Sequence, residues 1–278
     1  MNGALPRHRA LEAMLRLSDI SLTYNRGSFV AVNALDGVSL DFHRGEFVTI
    51  VGSNGAGKSS LANVVSGSVR PTSGNIWLND RDITRVPDYR RARWVARVFD
   101  NPLVGTAPDL SIEENLALAI ARGRRRGLRF AVSDSRRRTM REHLEVLDLG
   151  LENRLSQRVA LLSAGQRQSL TMIMAAMGRP EVLLLDEHLA ALDPETQRRV
   201  LEVTERIAGE MSCTTLMITH NMAHAIAVGT RLLVMSRGRV VADITGHEKS
   251  ALSPDEVVDK IVGAGDTVSD RVALAELE

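Results

Sequence analysis

The stretch GSNGAGKSS, Gly52 to Ser60, constrains this chain more than any other, because it stands between a strand-like apolar run, FVTIV, and a helical run, SLANVVSG. It matches G-x-x-x-x-G-K-[ST], in which glycines let backbone amides turn inward onto phosphate oxygens at a helix N-terminus. Lys58 then reaches the terminal phosphates, and the Ser59 hydroxyl can ligate magnesium. Average composition yields the four fixed positions by chance in about one chain of this length in a hundred, so the flanking strand and helix strengthen the assignment.

The rest of the chain alternates between two periods. Residues 15–24, 37–52 and 74–80 read as short strands bounded by Gly and Asn/Asp turns. From about 112 to 178 the apolar spacing becomes helical, in SIEENLALAIARG, RRRTMREHLEVLDLG and SAGQRQSLTMIMAAMG. There follow the strand EVLLLDE, the helix ETQRRVLEVTERIAGEM, the strand TTLMITH, the short helix NMAHAIAVG, and the strands RLLVMSRG and RVVADIT. Such alternation predicts an α/β core, a parallel sheet covered by helices, with a helical insertion at about 101–160. The tail from 247 to 278 offers one helix, too short for a separate regulatory domain.

A second chemical element is VLLLDE, Val182 to Glu187, an apolar strand ending in two carboxylates. Buried strands deliver functional side chains at their carboxyl ends, so Asp186 is expected to face the magnesium and Glu187 the attacking water. Adjacent acids at a strand end are also ordinary turn residues, and the phosphate loop decides in favour of the functional reading. Composition removes other classes. No apolar run approaches the roughly 18 residues of a membrane span, and the first 17 residues lack the apolar stretch of a signal peptide, so a cytoplasmic protein is expected. One cysteine, Cys213, excludes an internal disulfide and a cysteine-rich metal site. A net charge of +1 and 3% aromatics leave neither a basic footprint nor stacking platforms, so no nucleic-acid partner is expected.

Between the two elements lies LLSAGQRQ, Leu161 to Gln168, and beyond them AALD and MITH. Together these resemble, in type and order, the motifs of ATP-binding cassette (ABC) ATPases, over about residues 15–245. The resemblance implies a P-loop NTPase core at about 15–100 and 161–246, an N-terminal antiparallel β subdomain and an inserted α-helical subdomain. It implies ATP and Mg2+ as substrate and metal. Tyr24 matches the aromatic that stacks on adenine, the alternative being a strand aromatic packing in the core. Gly52, Ser53, Asn54, Gly55, Ala56, Gly57, Lys58, Ser59 and Ser60 match the phosphate and magnesium cradle. Ser163, Gly165 and Gln166 match the signature that meets the γ-phosphate of ATP on another subunit. Asp193 matches the acid of the loop crossing the dimer interface, and His220 the histidine that touches the γ-phosphate.

The implied assembly is a head-to-tail dimer, with a second copy or a homologous subunit, holding two ATP. Permease subunits and an extracytoplasmic solute-binding protein would complete an importer at the cytoplasmic face of the membrane. VFDNPLVGTAPDLSIEENLALA and LDEHLAALDPET look like the ATPases of bacterial importers of amino-acid-like solutes. The alternatives are a soluble ABC ATPase acting on nucleic acid or ribosomes, or an ATP-dependent dimerisation module with weak hydrolysis. Coiled coils and a second cassette, expected of the former, are absent from the sequence.

The chain departs from the family pattern in places. Ala164 replaces the usual Gly of the signature, and His188 follows Glu187 with no role beyond a polar residue at a strand end. Arg122 to Arg141 holds nine Arg against Asp134, either a solvated basic face or a surface for anionic headgroups. Asp100, in ARVFDNP, stands where the family has a coupling Gln near magnesium and water; it is either a ligand to both or a residue that caps the turn. At about 5 Å and an effective dielectric near 20, a carboxylate there repels phosphate and attracts the metal by about 3 kcal/mol per unit-charge pair. Asp100→Gln is therefore expected to bind metal-free ATP more tightly than the native chain, and equal affinity in equilibrium titrations would refute the ligand reading.

Overall fold

The computed structural model describes residues 13–122 and 132–264. In chain order its elements are β1 (Leu15–Tyr24), β2 (Val32–Phe42), β3 (Phe47–Gly52), α1 (Lys58–Ser66), β4 (Ser73–Leu78), β5 (Arg81–Asp82), α2 (Asp88–Arg91), β6 (Val95–Val98), α3 (Ile112–Ile120), α4 (Asp134–Glu145), α5 (Ala164–Met177) and β7 (Val182–Asp186). They continue with α6 (Pro194–Met211), β8 (Thr214–Ile218), α7 (Met222–Ala227), β9 (Arg231–Ser236), β10 (Arg239–Thr245), α8 (Gly246–Ser250) and α9 (Pro254–Gly263).

The central sheet runs β10-β9-β3-β8-β7-β6, parallel throughout except at β10. That edge strand adds one antiparallel pairing to the expected parallel sheet. The residues joining β9 to β10, Arg237 and Gly238, both have positive φ, the pattern of a two-residue hairpin turn, which can only reverse the chain. A second, antiparallel sheet, β2-β1-β4-β5, covers one side of the core. The run 37–52 divides into the end of β2 and the whole of β3 because Gly45, at φ 73°, turns the chain between them. Where one helix was expected after 247, two short ones form, since Ser253 and Glu256 make a capping box that starts a new helix with Pro254 in its first turn.

Every residue of β8 is buried, as are the four apolar residues of β7, as suits strands at the centre of a parallel sheet. On one face of the sheet, α1 and the antiparallel layer close an apolar core through Leu61, Val64, Ile50 and Leu184. On the other, α3, α4, α5 and α6 share a continuous core with β6 and β7 through Leu116, Leu144, Leu170 and Leu185. The Arg run begins at Arg122, just past the end of α3, and ends on α4; its central part, 123–131, lies outside the described residues.

Arg91, absent from any motif, holds this frame. Its side chain is fully buried and donates to five backbone carbonyls: Val64 (2.8 Å), Val65 (2.9 Å), Ile83 (2.5 Å), Thr84 (3.0 Å) and Val86 (2.9 Å). Two of these, Val64 and Val65, are carbonyls of the last turn of α1, where a cation also opposes the helix dipole. Burial pulls its pKa down to about 10, still far above neutrality. Arg91→Leu is expected to cost about 3–5 kcal/mol in urea unfolding, because five buried acceptors lose one shared donor.

Candidate active site

The phosphate loop leaves β3 and turns into α1 through Gly57, which sits at φ 101°. A Cβ at Gly57 would lie 2.5 Å from the Ala34 carbonyl oxygen, so glycine is required both by the left-handed backbone and by the close approach of β2. The loop is braced from behind by the Gly238 amide, which donates to the Ala56 carbonyl at 3.0 Å. Lys58 is buried, and its Nζ donates to the carbonyls of Gly52 (2.6 Å) and Ser53 (2.9 Å). Ser53 and Ala56 are buried with the loop, while Asn54, Gly55 and Ser59 face solvent and Ser60 is half-buried.

The acids of β7 emerge beside this loop. Asp186 is paired with Arg97 of β6, whose other terminal nitrogen donates to the Asn63 side chain of α1 at 2.7 Å. Glu187 takes φ 51°, uncommon for a non-glycine residue, and is held there by its amide bond to the Ile218 carbonyl (3.0 Å) and its carbonyl bond from the Ala190 amide (3.0 Å). That turn brings its Oε1 to 2.6 Å from Nε2 of His220, which follows β8. The hydrogen bond from His220, with the charges of His220 and Lys58 adding to it, holds the Glu187 carboxyl below its ordinary range against the opposing effect of burial. The donor set beside Lys58, the Ser59 hydroxyl and the Asp186 carboxylate, consists of hard oxygens suited to magnesium, and Asp186 already carries a cation, Arg97.

The signature residues gather elsewhere. Ser163 caps α5: its Oγ accepts from the Gln166 amide (3.2 Å), and Gln166 Oε1 accepts from the Ser163 amide (3.1 Å). The Gln166 side chain is thus committed to its own helix end. A Cβ at Gly165 would come within 2.4 Å of the Thr196 methyl, so this glycine permits α5 to pack against α6. Asp193 caps α6 through the Thr196 amide (3.1 Å), and hydrogen bonds with Thr196 lower its pKa. Ser163, Gly165 and Gln166 line a cleft of about 810 Å³ with residues 146–149 and α6, and no residue of the phosphate loop takes part in it.

Asp100 is exposed and its carboxylate makes no hydrogen bond among the described residues. The turn-capping alternative belongs to its neighbour, since the Leu103 amide donates to Oδ1 of Asn101 at 3.0 Å. The residue just before it, Phe99, accepts through its carbonyl from Nε2 of buried Gln168 on α5 (3.1 Å), which ties the Asp100 loop to the signature helix. Tyr24 ends β1 half-buried against the core, so part of its ring serves the packing that the alternative reading assigned to it. Arg91, Arg97 and Gln168 were not legible as site residues. Their one sequence signal is a polar residue at an apolar position of its element, which has no meaning until its partners are known.

Residues 35–190 match the protein family described as ABC transporter. The chain is 43% identical over 211 residues to a tyrosine transport ATP-binding protein of Clostridioides difficile, covering 76% of this chain and 84% of that one. It is 34% identical to a spermidine/putrescine import ATP-binding protein of Acidothermus cellulolyticus, covering 94% of this chain and 65% of that longer one. Among solved structures it is similar to a dimeric ATP-binding cassette bound to ADP and Pi, with TM-score 0.72, 25% identity and coverage of 84% and 98%. It also shares its fold with an ADP-bound ATP-binding cassette, with TM-score 0.75, 24% identity and coverage of 90% and 99%.

His188, expected as a polar strand end, is instead 1% exposed. The Thr204 hydroxyl donates to the Val200 carbonyl (2.7 Å), so the imidazole must donate from Nε2 to that same hydroxyl (3.3 Å), leaving Nδ1 bare and without a partner. Burial pushes its pKa down to about 3, so the folded chain holds it neutral. A folded pKa below the ordinary 6.5 means stability is complete above pH 6.5 and is lost as pH falls toward 3. Between pH 6.5 and 5 this component is worth about 2 kcal/mol. His188→Gln should remove it, which urea unfolding at the two pH values would show as a shallower acid dependence.

Proposed function

This chain belongs to the ATP-binding cassette family of ATPases, and on that premise we propose that it is the ATP-hydrolysing subunit of an importer, working as a head-to-tail dimer on separate permease subunits. The observation that carries the dimer is the separation of the two half-sites. Lys58, Asp186, Glu187 and His220 gather around the phosphate loop, while Ser163 opens on a cleft that this loop does not line. A second chain would bring its own Ser163 amides and capped helix end to the γ-phosphate.

In the proposed reaction water attacks the γ-phosphorus in line as the bond to the ADP oxygen breaks. Glu187, with its carboxyl held low, is a weak base, and its contribution is to accept a hydrogen bond from the water and fix its line of approach. His220 orients Glu187 and lies where a γ-phosphate oxygen would meet its ring. Lys58 exchanges its bonds to the loop carbonyls for the phosphates. Magnesium, held by Ser59 and Asp186 with Asp100 nearby, would neutralise charge on the phosphate oxygens. Tyr24 would cover the adenine and Asp193 the dimer seam.

Among the described residues no helix is long and apolar enough to cross a membrane. Attachment to the membrane is assigned to a groove between β6, its following loop and α5, lined by Phe99, Pro102, Thr171 and Met174, with Tyr89 and Val104 exposed at its rim. A permease seated there would touch the segment that ends in Asp100. The resemblance to a tyrosine transport protein supports an amino-acid-like solute, delivered by an extracytoplasmic binding protein. Glu187→Gln with ATP is expected to abolish turnover and to trap a dimer by size exclusion; a chain that stays monomeric would overturn the shared-site mechanism. Co-expression with its permease should then identify the solute by its stimulation of ATP turnover.

A further inference from the structure

Arg97 occupies a position that the reaction above leaves without a role. It lies on β6 opposite Leu184, so its side chain leaves the sheet on the face that Asp186 shares two residues later. Its guanidinium bridges Asp186 and Asn63, stacks on the Phe99 ring at 4.8 Å, and is 14% exposed. Asn63 is one helical turn beyond Ser59 on α1, so it lies on the same helix face. The candidate metal donor Asp186 is therefore paired with a positive charge that is itself tied to the helix bearing Ser59.

The balance of charge explains why such a group would be kept. Asp186 ends β7, and Glu187 and Asp100 follow the ends of β7 and β6, on the sheet edge where β3 also leads into the phosphate loop with Lys58. We propose that Arg97 is a built-in counter-ion for the metal-binding acid. It holds one carboxylate oxygen of Asp186, and its charge lets nucleotide enter before the metal does. The inference rests on the ATPase reading and adds an order of events to it.

The test is equilibrium binding of the non-hydrolysable analogue AMP-PNP, in EDTA and in excess Mg2+, to the full chain and its variants. Arg97→Met should weaken metal-free binding about tenfold while changing the magnesium form by no more than about twofold, so that metal dependence increases. Arg97→Lys, which restores the charge, should recover most of the metal-free affinity. If Arg97→Met does not fold, Arg97→Gln, which keeps a donor for Asn63 but no charge, carries the same expectation. Equal weakening of both forms, or of neither, would overturn the counter-ion role. Failure of the native chain to bind AMP-PNP even with magnesium would overturn the ATPase reading instead.

Discussion

Helix α1 is held at both ends by groups that are not its own, and the rest of the site is arranged around that anchorage. At its start, Gly57 adopts a backbone closed to other residues and brings the loop under the carbonyl of Ala34. At its end, Arg91 gathers the carbonyls of Val64 and Val65 together with three from the segment leading to β6. A helix clamped in this way presents its amides and the positive end of its dipole in a fixed direction, which is what phosphate recognition requires. The same segment leads into Arg97, so the clamp on α1 also sets the strand that supports Asp186.

The donors of the site are paired with the protein. Lys58 folds onto the carbonyls of its loop, Arg97 onto Asp186, and His220 onto Glu187. Each bond satisfies a buried or half-buried polar group that would otherwise lose its hydration without compensation. Nucleotide entry is thus an exchange of partners, and its free energy is the difference between two well-bonded states. The bond from Phe99 to Gln168 places the signature helix in mechanical contact with the loop bearing Asp100, so rearrangement at one is felt at the other.

The strand-loop-helix around Lys58 was legible because it is local: glycine positions, an apolar strand and a helix start lie within a short stretch. The acids at the end of VLLLD were legible for the same reason. The reversal at Arg237 and Gly238 was not read, because a two-residue hairpin shows little in a sequence whose neighbouring segments all suggest parallel pairing. Nor was the capping box at Ser253, which divides the tail into two helices. The burial of His188 was not read, since it follows two acids and is covered by α6, which comes later in the chain.

The sequence by itself determined the phosphate loop, the acidic strand end, the order of the motifs and the alternation of helix and strand, all of which follow from residues close together in the chain. Tertiary structure alone decided that Arg91 secures α1, that Arg97 meets Asp186, that Gly165 is required by Thr196, and that Asn101 rather than Asp100 caps the turn. The physical reason is range. A motif records which groups are needed, whereas the partners of a buried charge or a missing Cβ are set by contacts across 27 residues for Arg91 and 89 for Arg97, which no local pattern carries.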